Sequence, residues 1–213
     1  MRESHHAQEG GVTAFVAIAM IPLMIALALA VEFACVYAQH CAFENDLNIA
    51  REETFSAGFE LQLKNSSSPG ELISSRLAAS LRSNNYSGSI QVWFYEASAA
   101  EIAAACNNAK APNCVRAMAY HVVAQRDYNT VMMPASWLSG LTVSNGTTAV
   151  FCPYAAHKTY QAAETGVLTC YSFDADSQNM AITYPQRSQA APAMQQAVDH
   201  ALSKAVQEFE ENQ

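Results

Sequence analysis

The sequence predicts an α+β protein: an N-terminal transmembrane helix continuing into a long amphipathic helix, then a small antiparallel β-sheet domain and a C-terminal helix. Three observations predict it. Residues 12–31 contain no charge. Between residues 89 and 185, short β-rich runs are punctuated by Asn, Gly, Ser and Pro. From residue 193 to 210, apolar residues recur at helical spacing.

The first element is "VTAFVAIAMIPLMIALALAV". Twenty residues of helix span about 30 Å, the thickness of a bilayer's hydrocarbon core. Thr13 is its only polar side chain, and its hydroxyl can bond back to the helix. Pro22 would harm a soluble helix but is tolerated in a membrane one, where neighbours re-satisfy the freed carbonyl. A buried soluble helix would show a polar stripe, and this run has none. A cleaved export signal has one point in its favour, the small-x-small triplet Ala28-Leu29-Ala30. Against it, the run exceeds the usual length of about 7–15 residues, and only Arg2 is basic before it, against Glu3 and Glu9. A lipoprotein site at Cys35 fails because Glu32 stands where an apolar residue is needed. The expectation is a retained single-pass anchor in the cell membrane. Residues 1–10 form a short cytoplasmic N-terminus, 11–31 the transmembrane helix, 32–64 an extended helix stem, and 65–213 an extracytoplasmic α+β domain. The acidic flank after Val31 favours the outside for the C-terminal part.

The stem follows from a spacing of Val36, His40, Phe43, Leu47, Ala50, Thr54, Ala57 and Leu61, with no proline and no glycine before Gly58. It predicts one helix from about Val12 to about Leu63, its outer half packed on the chain's own domain, with self-association the sharper use. "NSSSPGE" is a hinge, and Pro69 opens a helix to about Arg82. "SIQVWFYEA" reads as a strand with Ile90, Val92 and Phe94 on one side and Gln91, Trp93 and Tyr95 on the other. Ser98 and Glu101 form a capping box opening "SAAEIAAACNNAK". "CVRAMAYHVVAQ" is a long strand and "NTVMMP" its continuation or return partner. Asn145-Gly146 in "LTVSNGTTAVF" predicts a hairpin turn. "GVLTCYSFD" and "MAITYP" are further strands. Met194, Ala197, Val198, Ala201, Leu202, Ala205, Val206 and Phe209 place a last helix against the sheet.

Charge narrows the partners. The chain's net charge is −8, and after Val31 ten Lys/Arg face seventeen Asp/Glu. Nucleic acid needs a basic footprint, and so does an anionic membrane surface; neither is expected. The six cysteines, 35, 41, 106, 114, 152 and 170, all follow the apolar run. An even count beyond an export segment suggests disulfides in an oxidising compartment, and six cysteines permit fifteen pairings. Cys106 with Cys114 would close the short loop "NNAKAPN", and Cys152 with Cys170 would tie two neighbouring strands. Cys35 and Cys41 stand about 9 Å apart along one helix and on different faces, so they would be unpaired or intermolecular. Several of the six could equally be small buried hydrophobes.

Chemistry-bearing motifs are scarce. There is no phosphate-binding glycine loop, G-x-S-x-G, H-E-x-x-H or C-x-x-C. His5-His6 reads as a polar tail more than a metal site. His121 falls in an alternating strand, and His157-Lys158 falls in a loop near Cys152. Asp174 and Asp176 lack the glycine and terminal glutamate of a calcium loop. Asn65, Asn85 and Asn145 begin N-x-[ST] triplets, weak evidence in a Ser- and Asn-rich chain. No catalytic residue, cofactor or metal is expected. An anchored hydrolase would need a pocket joining a nucleophile to His121 or His157.

"GGVTAFVAIAMIPLMIALALAVEFACVYAQHCAFENDLNIARE" resembles the N-terminal segment of TadE/TadG-like proteins of the tight-adherence (Flp) pilus assembly system. Gly11, Pro22, Glu32 and Tyr37 fit that pattern. Phe43-Glu44 stands where Leu-Gln is usual, and Asn48 where an aspartate is usual. The resemblance covers about forty residues, a fifth of the chain. Cleavage after Gly10 or Gly11 would put Phe15 or Val16 where the pseudopilin branch carries a glutamate, so the chain resembles the unprocessed, TadG-like branch or a divergent relative more than that branch. The resemblance implies a non-enzymatic component of pilus assembly or surface adhesion. Its helix would pack with other membrane or pilus-assembly proteins. A membrane-anchored binding or adhesion module unrelated to pili shares the same anchor, charge and cysteines.

Overall fold

The computed structural model describes residues 5–128, 130–132, 140–155, 166–174 and 179–212, with side chains described from Ala14 onward. The fold is α+β, with a long apolar N-terminal helix, a five-stranded antiparallel sheet and a C-terminal helix. The helices are α1 (His5–Thr54), α2 (Ala57–Asn65), α3 (Pro69–Ser83), α4 (Ala99–Ala105) and α5 (Pro192–Glu211). The strands are β1 (Ser89–Glu96), β2 (Met118–Asp127), β3 (Thr142–Phe151), β4 (Val167–Asp174) and β5 (Ala181–Thr183), in the order β3-β2-β1-β4-β5. Two compact units divide the chain. One holds residues 1–41 with 127–143, and the other residues 42–126 with 144–213.

In the larger unit the sheet is covered on both faces. Ile90, Val92 and Phe94 of β1 stand opposite Ala124, Val122 and Tyr120 of β2. On the other side they face Phe173, Tyr171 and Thr169 of β4. This face meets the last turns of α1, together with α3. Thr54 Oγ1 lies 3.0 Å from Tyr120 Oη, Phe43 stacks on Tyr86 at 5.0 Å, and Gly70 of α3 lies so close to Phe94 and Tyr171 that a Cβ would clash. On the opposite face Tyr95, Ala119 and Leu168 join Ile102 of α4 and Met194, Ala197, Val198, Ala201, Ala205 and Phe209 of α5 in one core. The α5 expectation is met nearly residue for residue, with Leu202 and Val206 at its half-buried margin. Tyr95, placed opposite the apolar side of β1, is buried as well because α4 and α5 lie over it.

The capping box opens α4. Ser98 Oγ accepts from Glu101 N–H, and the Glu101 carboxylate accepts from Ser98 N–H at 2.9 Å and from Tyr95 Oη at 2.6 Å. Burial pushes the Glu101 carboxyl up, but hydrogen bonds from Tyr95 and Ser98, with Arg187 nearby, outweigh it and hold it below the usual value of 4.5. A carboxylate lowered in the fold contributes stability above its unfolded pKa and loses it as pH falls through the folded one. Glu101→Gln is therefore expected to cost about 1 kcal/mol at neutral pH. In thermal melts the gap from wild type should close below about pH 4.

A buried guanidinium closes α2. Arg116, just ahead of β2 and 5 % exposed, has Nε and Nη2 each 2.7 Å from Glu96 Oε1. Its Nη1 donates to the carbonyls of Leu63 at 3.1 Å and Ser66 at 3.0 Å, with that of Lys64 at 3.4 Å. One side chain thus satisfies the orphan carbonyls at a helix C-terminus and pairs a buried carboxylate.

Three expectations are corrected. The long helix does not run to Leu63 but stops at Thr54, and α2 restarts at Ala57. Thr54 Oγ1 bonds the Arg51 carbonyl at 2.6 Å, Phe55 and Ser56 take i−3 bonds, and Phe55 turns onto Phe151 at 4.9 Å. After the break, Phe59 and Leu63 are buried and Leu61 is exposed. Asn145-Gly146 is not a hairpin turn but the middle of β3, since neither residue adopts the positive φ such a turn requires. Glycine is needed there for proximity: a Cβ at 146 would sit 2.9 Å from the Val122 carbonyl and 3.1 Å from the His121 ring. Nor do Thr130, Val131 and Met132 of "NTVMMP" form a strand. Tyr128 N–H bonds the Leu141 carbonyl at 2.9 Å, so the β2–β3 connection is closed at its base. Met133 and Pro134 lie outside the described residues.

Candidate membrane-boundary site

The apolar run sits inside α1 and is long and apolar enough to cross a membrane. Its side chains are not a protein core: Phe15 is 74 % exposed, Ile18 69 % and Leu23 66 %. Pro22 lies within the helix and is exposed. Lipid-facing residues have this profile, and a core helix does not.

The run ends at Glu32, which is only 3 % exposed. A carboxylate buried next to an apolar span costs several kcal/mol unless donors surround it. Here the donors come from the segment after β2, almost a hundred residues along the chain. Glu32 Oε1 accepts from Val131 N–H at 2.9 Å and from Met132 N–H at 2.5 Å. Oε2 accepts from the Tyr128 hydroxyl at 2.5 Å. That hydroxyl also lies 3.4 Å from the Glu32 carbonyl. Two successive backbone amides and a phenol thus form a pocket for one carboxylate. Those amides are engaged by Glu32, which explains why Val131 and Met132 do not pair as a strand. The hydrogen bond to Glu32, then burial, pushes the Tyr128 phenol up to about 12, so it remains a donor at neutral pH.

The clamp leaves apolar side chains outside it. Val131 and Met132 are about as exposed as the residues of the apolar run, and Phe33 and Tyr37 are each 70 % exposed. Aromatic and apolar side chains at the end of a span suit the headgroup level.

The other residues of the resemblance lie elsewhere along α1. Gly11 lies in α1 among residues whose side chains are not described. Tyr37, Glu44 and Asn48 are exposed. With Cys41, also exposed, they recur at i, i+4, i+7 and i+11, one stripe of α1, while Phe43, Leu47 and Ala50 are buried on the other side. Cys35 is half-buried, near enough to Tyr128 to affect its phenol.

All six cysteines are free thiols. Cys152 and Cys170 cannot pair as neighbouring strands, because β3 and β4 are separated by β2 and β1. Three strand spacings are about 14 Å, twice the Cα separation a disulfide allows. Burial pushes the Cys152 thiol up to about 12, and its Sγ donates to the Ala201 carbonyl at 3.2 Å, so it behaves as a small core hydrophobe. Cys106 and Cys114 both pack on the α5 core at either end of a tight turn in which Asn107 adopts φ 48°.

His121 is buried in β2 against Gly146, and desolvation depresses its pKa. His157, Lys158 and Asp176 lie outside the described residues, as do the His5 and His6 side chains. Among the described residues no three His, Cys, Asp or Glu side chains are grouped to hold a metal.

Tyr128, Val131 and Met132 escaped sequence reasoning because two of the three act through backbone N–H groups, which no motif encodes. The signal was indirect: a carboxylate closing an apolar run must find donors somewhere. No protein-family model, curated protein or solved structure matches the chain.

Proposed function

We propose that the chain is a single-pass, non-enzymatic envelope protein of a tight-adherence (Flp) pilus or a related secretion apparatus, acting in pilus assembly or surface adhesion. Residues 11–31 cross the cell membrane with the N-terminus inside, and the α+β domain lies outside. The observation that carries this reading is the end of the apolar run within α1: an uncharged, outward-facing stretch closed by a carboxylate whose charge the chain itself meets with hydrogen-bond donors. The resemblance of residues 11–53 to TadE/TadG-like proteins supplies the pilus context. The exposed stripe of Tyr37, Cys41, Glu44 and Asn48 offers partner membrane or pilus-assembly helices a polar edge beside the span. Outside the cell, Cys106 and Cys114, at either end of the loop "NNAKAPN", would be the pair to oxidise.

Deleting the gene tests the pilus reading. The expected result is loss of surface pili and of tight surface adhesion, both restored by the wild-type gene. Unchanged piliation and adhesion would leave only a membrane-anchored module without a role in pili.

A further inference from the structure

We infer that the free edge of β3 is a docking slot for an extended, acidic segment of a partner protein, added as a sixth strand. The two ends of the sheet are treated differently. β5 is three residues long, and such short edge strands are a common defence against unwanted pairing. β3 is ten residues long, and "TVSNGTTAVF" contains neither a charge nor a proline, the other usual defences. Among the described residues no strand lies beyond β3.

A groove of about 630 Å³ runs beside that edge. It is lined by Thr148 and Val150 of β3, by Arg51 in the last turn of α1 with Phe55 just after it, and by His200 and Lys204 of α5. Its walls are therefore the two helical layers flanking the sheet, and layers about 10 Å from a sheet leave room for one strand in its plane.

Charge selects the occupant. The chain's net charge is −8, yet the groove contains Arg51 and Lys204 and no Asp or Glu. The Arg51 guanidinium is 3.8 Å from Glu52 and over the Phe55 ring, and its Nε is buried without a hydrogen-bond partner among the described residues. Lys204 makes no ion pair among the described residues. A strand whose alternate side chains are carboxylates would line them up on one face, beside Lys204, and turn its Val or Thr side chains to Phe55 on the other while its backbone pairs with β3, the mode of β-strand addition. A second copy is a poorer match, because its own β3 edge carries no carboxylate.

The test is fluorescence anisotropy of a labelled peptide of about twelve residues alternating Val or Thr with Glu, titrated with the full chain in detergent micelles. Saturable binding is expected, and N-methylation of alternate peptide residues should abolish it. Lys204→Glu, a surface change, should weaken binding at least about tenfold, and a peptide carrying Lys for Glu should recover part of that loss. Any of three results would overturn the inference: no saturable binding up to about 1 mM, equal binding of the N-methylated peptide, or equal binding of the Lys peptide to the wild-type chain. Self-association that blocks the peptide and survives Lys204→Glu would assign the edge to a second copy instead.

Discussion

Arg116→Met is expected to destabilise the α+β unit by about 3–5 kcal/mol, the cost of leaving one member of a buried ion pair alone. The change removes both hydrogen bonds to Glu96 and the donor to the α2 carbonyls at Leu63 and Ser66. Its pH dependence has a definite sign. Burial already pushes the Glu96 carboxyl up, and Arg116 counters this. Without Arg116 the carboxyl rises further, so the folded state binds a proton more readily than the unfolded chain does. Stability then falls as pH rises from the unfolded to the folded pKa. The deficit of Arg116→Met should be smaller near pH 5 than near pH 8. Glu96→Gln should cost less at neutral pH, because Arg116 keeps its carbonyl partners. Denaturant titration of the two variants checks the order, and equal deficits would mean that capping α2 contributes little.

Glu32→Gln is expected to release the segment that clamps it. Hydrogen bonds to a charged acceptor contribute about 1.5–3 kcal/mol each, so losing the charge should raise amide exchange at Val131 and Met132 at least about tenfold. Tyr128 supplies an independent readout. Its phenol is held at about 12 chiefly by the hydrogen bond to Glu32, and should move toward 10.0 in the variant. Val131 and Met132 amides that exchange as slowly as in wild type, with an unshifted Tyr128, would show that Glu32 does not hold this segment.

What was legible in the sequence follows a physical division. Elements that bury a face through their own periodicity were readable: Met194 through Phe209 announce α5, Ile90, Val92 and Phe94 announce β1, and Ser98 with Glu101 announces α4. Features that depend on a distant partner were not. Asn145-Gly146 has the composition of a turn, but pairing with β2 keeps it extended. The heptad-like spacing continues past Thr54, yet Phe55 leaves it to pack on Phe151. Cys152 directly follows β3 and Cys170 lies on β4, and only the strand order shows that they are far apart. The same holds where the apolar run ends. Glu32 was visible as the end of an apolar run, whereas its donors come from the β2–β3 connection.

The central claim is that residues 12–31 stay attached as an anchor, and it is tested most directly by mass spectrometry of the protein recovered from alkali-washed membranes. The account predicts a membrane-embedded chain whose peptides include the whole of residues 12–31 joined to Glu32 and beyond. A chain beginning near Val31 and released into the soluble fraction would contradict it.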